Sequence, residues 1–163
     1  MLGGYLERIW GPKRFFLFYL VSAFGAFALF NAMGVYEIES LKSQIMAEGH
    51  SIREINQFTQ LTNNEAINEY LVKINTPMVG ASGAIFGVMA AFAILFPNTE
   101  FRLYFAIPVK AKYFVGAYIL FEVYQSYLNN SGDSTAHLAH VGGAIAGAIL
   151  VLFWRKKDRG NFW

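Results

Sequence analysis

Cysteine is absent from the chain. That excludes disulfides, thiolate nucleophiles and cysteine-ligated zinc or iron–sulfur centres. Charge is scarce as well. Only 15% of the 163 residues are Asp, Glu, Lys or Arg, against about 25% in an ordinary soluble domain. The 13 basic and 11 acidic residues nearly cancel, which argues against nucleic-acid binding, since that needs a clustered basic face. What the chain has instead is 55% hydrophobic residues, 17% aromatic residues and 15 glycines. The apolar fraction excludes disorder and exceeds the roughly 45–50% typical of globular domains. A membrane protein is the class these numbers imply.

The apolar residues are concentrated in runs. Phe15 to Tyr36 carries no charge over 22 residues, and a helix of that length crosses a hydrocarbon core of about 30 Å. Met78 to Pro97 is a second uncharged run, of 20 residues. Tyr113 to Leu128 is a third, broken only by Glu122, and Ala136 to Trp154 is a fourth, with two histidines near its start. The expectation is four transmembrane helices, over about 15–36, 78–97, 113–128 and 136–154.

Charge between the runs gives an orientation. Arg8, Lys13 and Arg14 precede the first run, and Arg102, Lys110 and Lys112 lie between the second and third. Arg155, Lys156, Lys157 and Arg159 follow the fourth. If four helices alternate, these ten residues share one side, and the positive-inside rule then puts both chain ends in the cytoplasm. Trp10 and Trp154 fall at that same edge, where amphipathic rings are favoured. Phe101 to Ile107 is too short to span and reads as an interfacial piece leading into the third helix. No cleavable signal peptide is visible in the basic flank before the first run.

The connection over about 37–76 is polar and carries helix punctuation. Ser51-Ile52-Arg53-Glu54 has capping-box spacing. Gly49 is placed to end a helix from about Glu39 to Glu48. Asn64 is placed to cap a helix from Glu65 to Lys73, which Pro77 would block. Leu41, Ile45, Ile52, Ile55, Phe58, Ile67 and Leu71 give these pieces partial apolar stripes. A short helical extracytoplasmic insertion is expected, within a single membrane domain covering 1–163.

Two places carry chemistry. In Gly80-Ala81-Ser82-Gly83-Ala84-Ile85-Phe86-Gly87, the step from Gly83 to Gly87 reads first as close helix packing. Ser82 adds a second reading. It falls in the first turn of its helix, where backbone N–H groups lack helical partners and the dipole is positive. Oxyanion donors would then lie beside a hydroxyl nucleophile. In the fourth run, His140 is an ionisable residue inside a span, a functional hypothesis by default. Gly143 and Gly147 share its helical face and leave that face bare. A histidine beside a serine hydroxyl can serve as general base and then general acid. Glu122 reads more readily as a structural acid than as a catalytic one. A metal site from His137, His140 and Glu122 is a weak zinc pattern, and no metal or cofactor is expected.

At these residues the sequence resembles the rhomboid family of intramembrane serine proteases. The family's GxSG is met by Gly80-Ala81-Ser82-Gly83. Its His-x-x-Gly-x-x-x-Gly is met by His140, Gly143 and Gly147, preceded by Ala139. Gly4-Tyr5-Leu6-Glu7 with Gly11 resembles the family's turn between its second and third core helices. The resemblance implies an all-α membrane protein, a rhomboid-like helical bundle. It implies a Ser–His dyad with Ser82 as nucleophile and His140 as general base. Gly80 and Gly83 would support the oxyanion site, and Gly87, Gly143 and Gly147 the packing around the dyad. Single-span membrane proteins would be the substrates, cut near the outer face, with the lipid bilayer as partner. His137 does not match the dyad position.

The family core has six helices and this chain matches the last four. The helix that would carry a His-x-x-x-Asn pair of oxyanion donors has no counterpart in the sequence. The expectation is a truncated chain whose activity on its own is weak or lost, because one oxyanion donor alone is worth about 10²–10³ in rate. The alternative is a non-proteolytic rhomboid-like protein that binds membrane clients. A small transporter subunit is a third reading, which leaves Ser82 and His140 unexplained.

Overall fold

The computed structural model describes residues 2–57, 62–75, 80–103, 107–128 and 136–157. By its internal contacts the chain divides into two compact units. One comprises Met1–Phe30, Gly80–Asn130 and Thr135–Trp163, and the other Asn31–Val79 and Ser131–Ser134.

Helix α1 (Leu2–Trp10) opens the first unit. The segment from Gly4 to Glu7, expected as a turn, is helical instead, and the turn is confined to Gly11, whose N–H bonds Glu7 O at 2.7 Å. Pro12 then starts α2 (Pro12–Ala47), in the first turn, where its missing N–H leaves no helical bond unmade. Helix α5 (Ser82–Leu95) follows, then strands β1 (Glu100–Leu103) and β2 (Ile107–Lys110), then α6 (Ala111–Leu128) and α7 (His137–Lys157).

The helices fall where the four apolar runs predict them, with differences in extent. Helices α2 and α7 are long and apolar enough to cross a membrane. Helix α5 has only 14 residues, about 21 Å at the helical rise, because Gly80 and Ala81 at one end and Phe96 and Pro97 at the other stand outside it. Residues 78 and 79 of that expected span lie outside the described residues. Helix α6 has 18 residues, about 27 Å.

Where the interfacial piece is expected, β1 and β2 pair antiparallel, with Glu100 opposite Lys110 and Phe101 opposite Val109; residues 104–106 of that piece lie outside the described residues. Glu100-Phe101-Arg102-Leu103 alternates polar and apolar, which is the period of a strand, and the Glu–Lys pair favours this register.

One core cluster of this unit gathers Leu6, Phe18, Val88, Phe92, Leu95, Val151 and Trp154. Trp10 packs edge-on to Trp154, with centroids 5.5 Å apart, and the Arg14 guanidinium lies 4.5 Å over the Trp154 ring. These rings cluster some fourteen residues along α7 from His140, about 21 Å away along the helix. A second cluster, Phe86, Ala90 and Ala144, lies nearer the N-termini of α5 and α7.

In the second unit α2 continues to Ala47 as one helix. No Gly or Pro lies between Tyr36 and Gly49 to stop it, so the helix expected from Glu39 is its last part. It ends with Gly49 at φ 86°, a left-handed conformation that glycine adopts without strain. Helix α3 (Ile52–Ile55) starts after Ser51, but the Ser51 side chain makes no capping bond. The capping-box spacing marks the helix start without supplying the box. Helix α4 (Glu65–Asn75) is capped by Asn64, whose Oδ1 accepts from Ile67 N–H at 3.1 Å. Leu41, Ile45, Ile55, Ile67, Tyr70 and Leu71 form the core of this unit. Phe58 and Pro77 lie outside the described residues.

Candidate active site

The site is built on the first turns of α5 and α7 and on the middle of α6, all within the first unit. Gly80 precedes α5 at φ 110°, a conformation that an L side chain rarely adopts. Ala81 is the N-cap residue and Ser82 the first residue of the helix. Among the described residues no side-chain bond caps this end, and the N–H groups of Ser82, Gly83 and Ala84 are those of a first turn, which have no partner within the helix.

Helix α7 lies against α5 through glycine. A Cβ placed on Gly143 would overlap the carbonyl oxygen of Gly83. One placed on Gly147 would lie 2.7 Å from Gly87 Cα, and one on Gly87 2.9 Å from Gly143 O. Both are closer than real Cβ atoms come. Helix α2 takes part in the same contact. Ala26 meets the Cβ position of Gly83, Ser22 that of Gly87, and Gly142 abuts Gly25 O. Backbones can approach this closely only where side chains are lacking.

The close approach brings the two reactive side chains together. His140 Nε2 lies 2.9 Å from Ser82 Oγ, a hydrogen-bond distance. The imidazole stacks on Phe86, with centroids 4.3 Å apart and planes 9° from parallel. Phe86 is one helical turn after Ser82 on α5, so one helix supplies both the hydroxyl and the flat wall behind the ring. His140 is 8% exposed and Phe86 5%.

On its other side His140 meets Glu122. Its Nδ1 lies 2.7 Å from Glu122 Oε2, and His137 Nδ1 lies 2.7 Å from that same oxygen. Glu122 is 3% exposed, on α6. A carboxyl buried this deeply costs several kcal/mol unless it is paired, and the two imidazoles pair it. Ser82, His140 and Glu122 thus form a continuous hydrogen-bonded chain from the N-terminus of α5 to the middle of α6.

Two of these residues are hard to read from the sequence. Glu122 reads more readily as a structural acid than as a catalytic one, and Phe86 is one aromatic among many. The available signals were the lone acid of the third apolar run and the i+4 spacing of Phe86 from Ser82.

Glu122, His137 and His140 are also the residues that could hold a metal, with ligand atoms all within 4.8 Å of one another. Both nitrogens stand at 2.7 Å from Oε2, whereas neighbouring ligand atoms around a tetrahedral zinc are about 3.3 Å apart. The spacing is that of N–H···O bonds, and the trio would have to open to admit zinc.

Comparison with known proteins agrees with this architecture. The rhomboid domain model matches residues 1–157. An uncharacterized mitochondrial rhomboid protein of Schizosaccharomyces pombe is 39% identical over 89 residues, covering 51% of this chain and 23% of that protein. Rhomboid protein 1, mitochondrial, of Saccharomyces cerevisiae is 36% identical over 78 residues, 45% of this chain and 21% of that protein. The matched stretches therefore span less than a quarter of either relative's length. No solved structure matches the chain at a significant level. The match over 1–157 is decisive for the family: this chain belongs to the rhomboid family.

Proposed function

We propose that this rhomboid-family chain carries the reactive centre of an intramembrane serine endopeptidase, with Ser82 as nucleophile and His140 as general base. The observation that carries the reading is the 2.9 Å contact between Ser82 Oγ and His140 Nε2 at the open N-terminus of an apolar helix.

In this mechanism Ser82 Oγ attacks the carbonyl carbon of the scissile bond as its proton passes to His140 Nε2. The developing oxyanion is met by N–H groups of the first turn of α5, helped by the positive end of that helix. His140 then returns the proton to the leaving amine, and water hydrolyses the acyl-enzyme by the same exchange. Gly80 and Gly83 keep the approach to the hydroxyl free of side chains. Phe86 holds the imidazole plane while its proton load changes.

Substrates of this chemistry are single-span membrane proteins. A peptide bond inside a helix is shielded, so small or helix-breaking residues near the cut expose it for attack. The basic flanks of α2 and α7 fit placement on the cytoplasmic side of a membrane. The Ser82 end of α5 then faces the opposite side.

The second reading is a rhomboid-like protein that binds membrane clients without cutting them. The retained, hydrogen-bonded Ser82 and His140 favour the protease, since client binding gives no use for an activated hydroxyl.

The test is fluorophosphonate labelling of the purified chain in detergent, read together with cleavage of a single-span reporter. Labelling at Ser82 that disappears in Ser82→Ala and His140→Ala is expected. Robust cleavage retained in Ser82→Ala would overturn the proposal.

A further inference from the structure

The geometry points to Glu122 as a positioning residue that fixes the tautomer of His140, adding an orienting carboxylate to the two reactive residues. This inference rests on the reading of Ser82 and His140 as the reactive pair. A neutral imidazole has one N–H and one bare nitrogen, and only the tautomer with the proton on Nδ1 leaves Nε2 free to take the serine proton. An imidazole facing a hydroxyl alone has no strong preference, because the hydroxyl both donates and accepts. Glu122 removes the ambiguity. Its Oε2 stands 2.7 Å from His140 Nδ1, and an ionised carboxylate oxygen only accepts. The proton of His140 is therefore held on Nδ1, and Nε2 presents its lone pair to Ser82 Oγ at 2.9 Å.

His137 completes the arrangement. Its Nδ1 lies 2.7 Å from the same Oε2, and a carboxylate oxygen has two lone pairs to meet two N–H groups. His137 and His140 are three residues apart on α7, so one helix presents both donors to one acceptor. The pair holds the carboxylate in place by hydrogen bonds from both sides.

During attack the proton leaving Ser82 Oγ binds His140 Nε2, and the original proton stays on Nδ1. The imidazolium so formed faces the Glu122 carboxylate across one hydrogen bond, in a site where low dielectric strengthens their attraction. Glu122 gains no proton and does not touch Ser82, so it acts through His140.

The chain has three histidines, His50, His137 and His140, so nitrogen-15 NMR of histidine-labelled protein in detergent can resolve each imidazole, with His50→Gln and His137→Gln giving the assignment. In the unmodified chain we expect His140 with a protonated, pyrrole-type Nδ1 and a bare, pyridine-type Nε2. In Glu122→Gln that preference weakens, because an amide can donate as readily as accept. Fluorophosphonate labelling of Ser82 should slow by about 10²–10⁴-fold in Glu122→Gln and recover in part in Glu122→Asp. A reporter substrate should show the loss in kcat, with KM within about threefold, since Glu122 does not touch substrate.

An Nε2–H tautomer in the unmodified chain would overturn the inference with no variant needed. So would a tautomer and labelling rate left unchanged in folded Glu122→Gln. The two readings fail separately. Cleavage that survives Ser82→Ala defeats the protease reading. Labelling that is lost in Ser82→Ala but kept in Glu122→Gln defeats only the role of Glu122.

Discussion

Around Gly83, Gly87, Gly143 and Gly147 the helices of the first unit meet backbone to backbone. Around Ile45, Ile55 and Tyr70 those of the second meet side chain to side chain. The polar groups differ in the same way. In the second unit they act as separate caps and pairs. Asn64 caps α4, Tyr70 Oη donates to Asn56 Oδ1 at 3.0 Å, and Lys73 pairs with Glu37 at 2.7 Å. At the site in the first unit they are joined in one chain, Ser82–His140–Glu122–His137. A helix pair in lipid gains little from burying more oil, so it gains from close approach and from hydrogen bonds that have no water to compete with. An insertion with polar surfaces can use the ordinary hydrophobic effect and ordinary caps. The two units therefore fail in different ways when perturbed.

The largest effect is expected at Gly143. Its absent Cβ would occupy the place of Gly83 O, and a backbone atom cannot swing aside as a side chain can. Gly143→Val must push α7 from α5. Overpacking usually costs about 1–3 kcal/mol, and contact with backbone puts this case at the upper end or beyond. The same displacement separates His140 from Ser82. Loss of fluorophosphonate labelling and a lower thermal midpoint are expected together. Retention of both would mean that the helices do not rely on this contact.

A smaller effect is expected at Ile45, which is fully buried in the second unit. Ile45→Val removes one methylene and should cost about 0.5–1.5 kcal/mol. It should appear as faster hydrogen exchange at the α4 amides, by up to roughly tenfold. Labelling at Ser82 should be unchanged. A loss of labelling equal to that in Gly143→Val would erase the contrast between backbone-packed and side-chain-packed regions.

The sequence carries this contrast unevenly. Glycines at i+3 and i+7 from His140 mark a bare helix face, and a serine among glycines near the start of an apolar run marks the first turn of a helix. Those signals are local, and they mark Ser82, His140, Gly143 and Gly147 as residues of two helix faces that are able to meet. Asn64 and Gly49 were legible for the same reason, since caps depend on a few adjacent residues. Glu122 was not. Its partner His140 is 18 residues away on another helix, and a lone acid in an apolar run looks the same whether it orients a histidine or only satisfies one. Phe86 is one aromatic among many. The length of α2 was missed because Glu37 and Glu39 resemble the end of a span, whereas charge alone does not stop a helix. The pairing of β1 with β2 is not legible because the alternation in each strand is only four residues long.

The smallest effect tests the solvated side of the comparison. Lys42 lies beyond the charge-free stretch that ends at Tyr36, and its Nζ is 2.8 Å from Glu39 Oε1. The hydrogen bond to Glu39 holds its pKa above the ordinary 10.5, opposed by partial desolvation and aided by the nearby charge of Glu39. A raised folded-state value means that the contribution is fully present below 10.5 and is lost as pH rises through the raised value. Exposed i,i+3 pairs contribute little in water. Lys42→Gln should therefore lower the thermal midpoint slightly at neutral pH, and the difference from the unmodified chain should vanish well above 10.5. A difference that persists at that alkaline end would assign the role of Lys42 to its aliphatic stem rather than its charge. A large difference at neutral pH would mean that this pair is shielded from water, as the Glu122 cluster is, and the distinction between the two units would narrow to their packing alone.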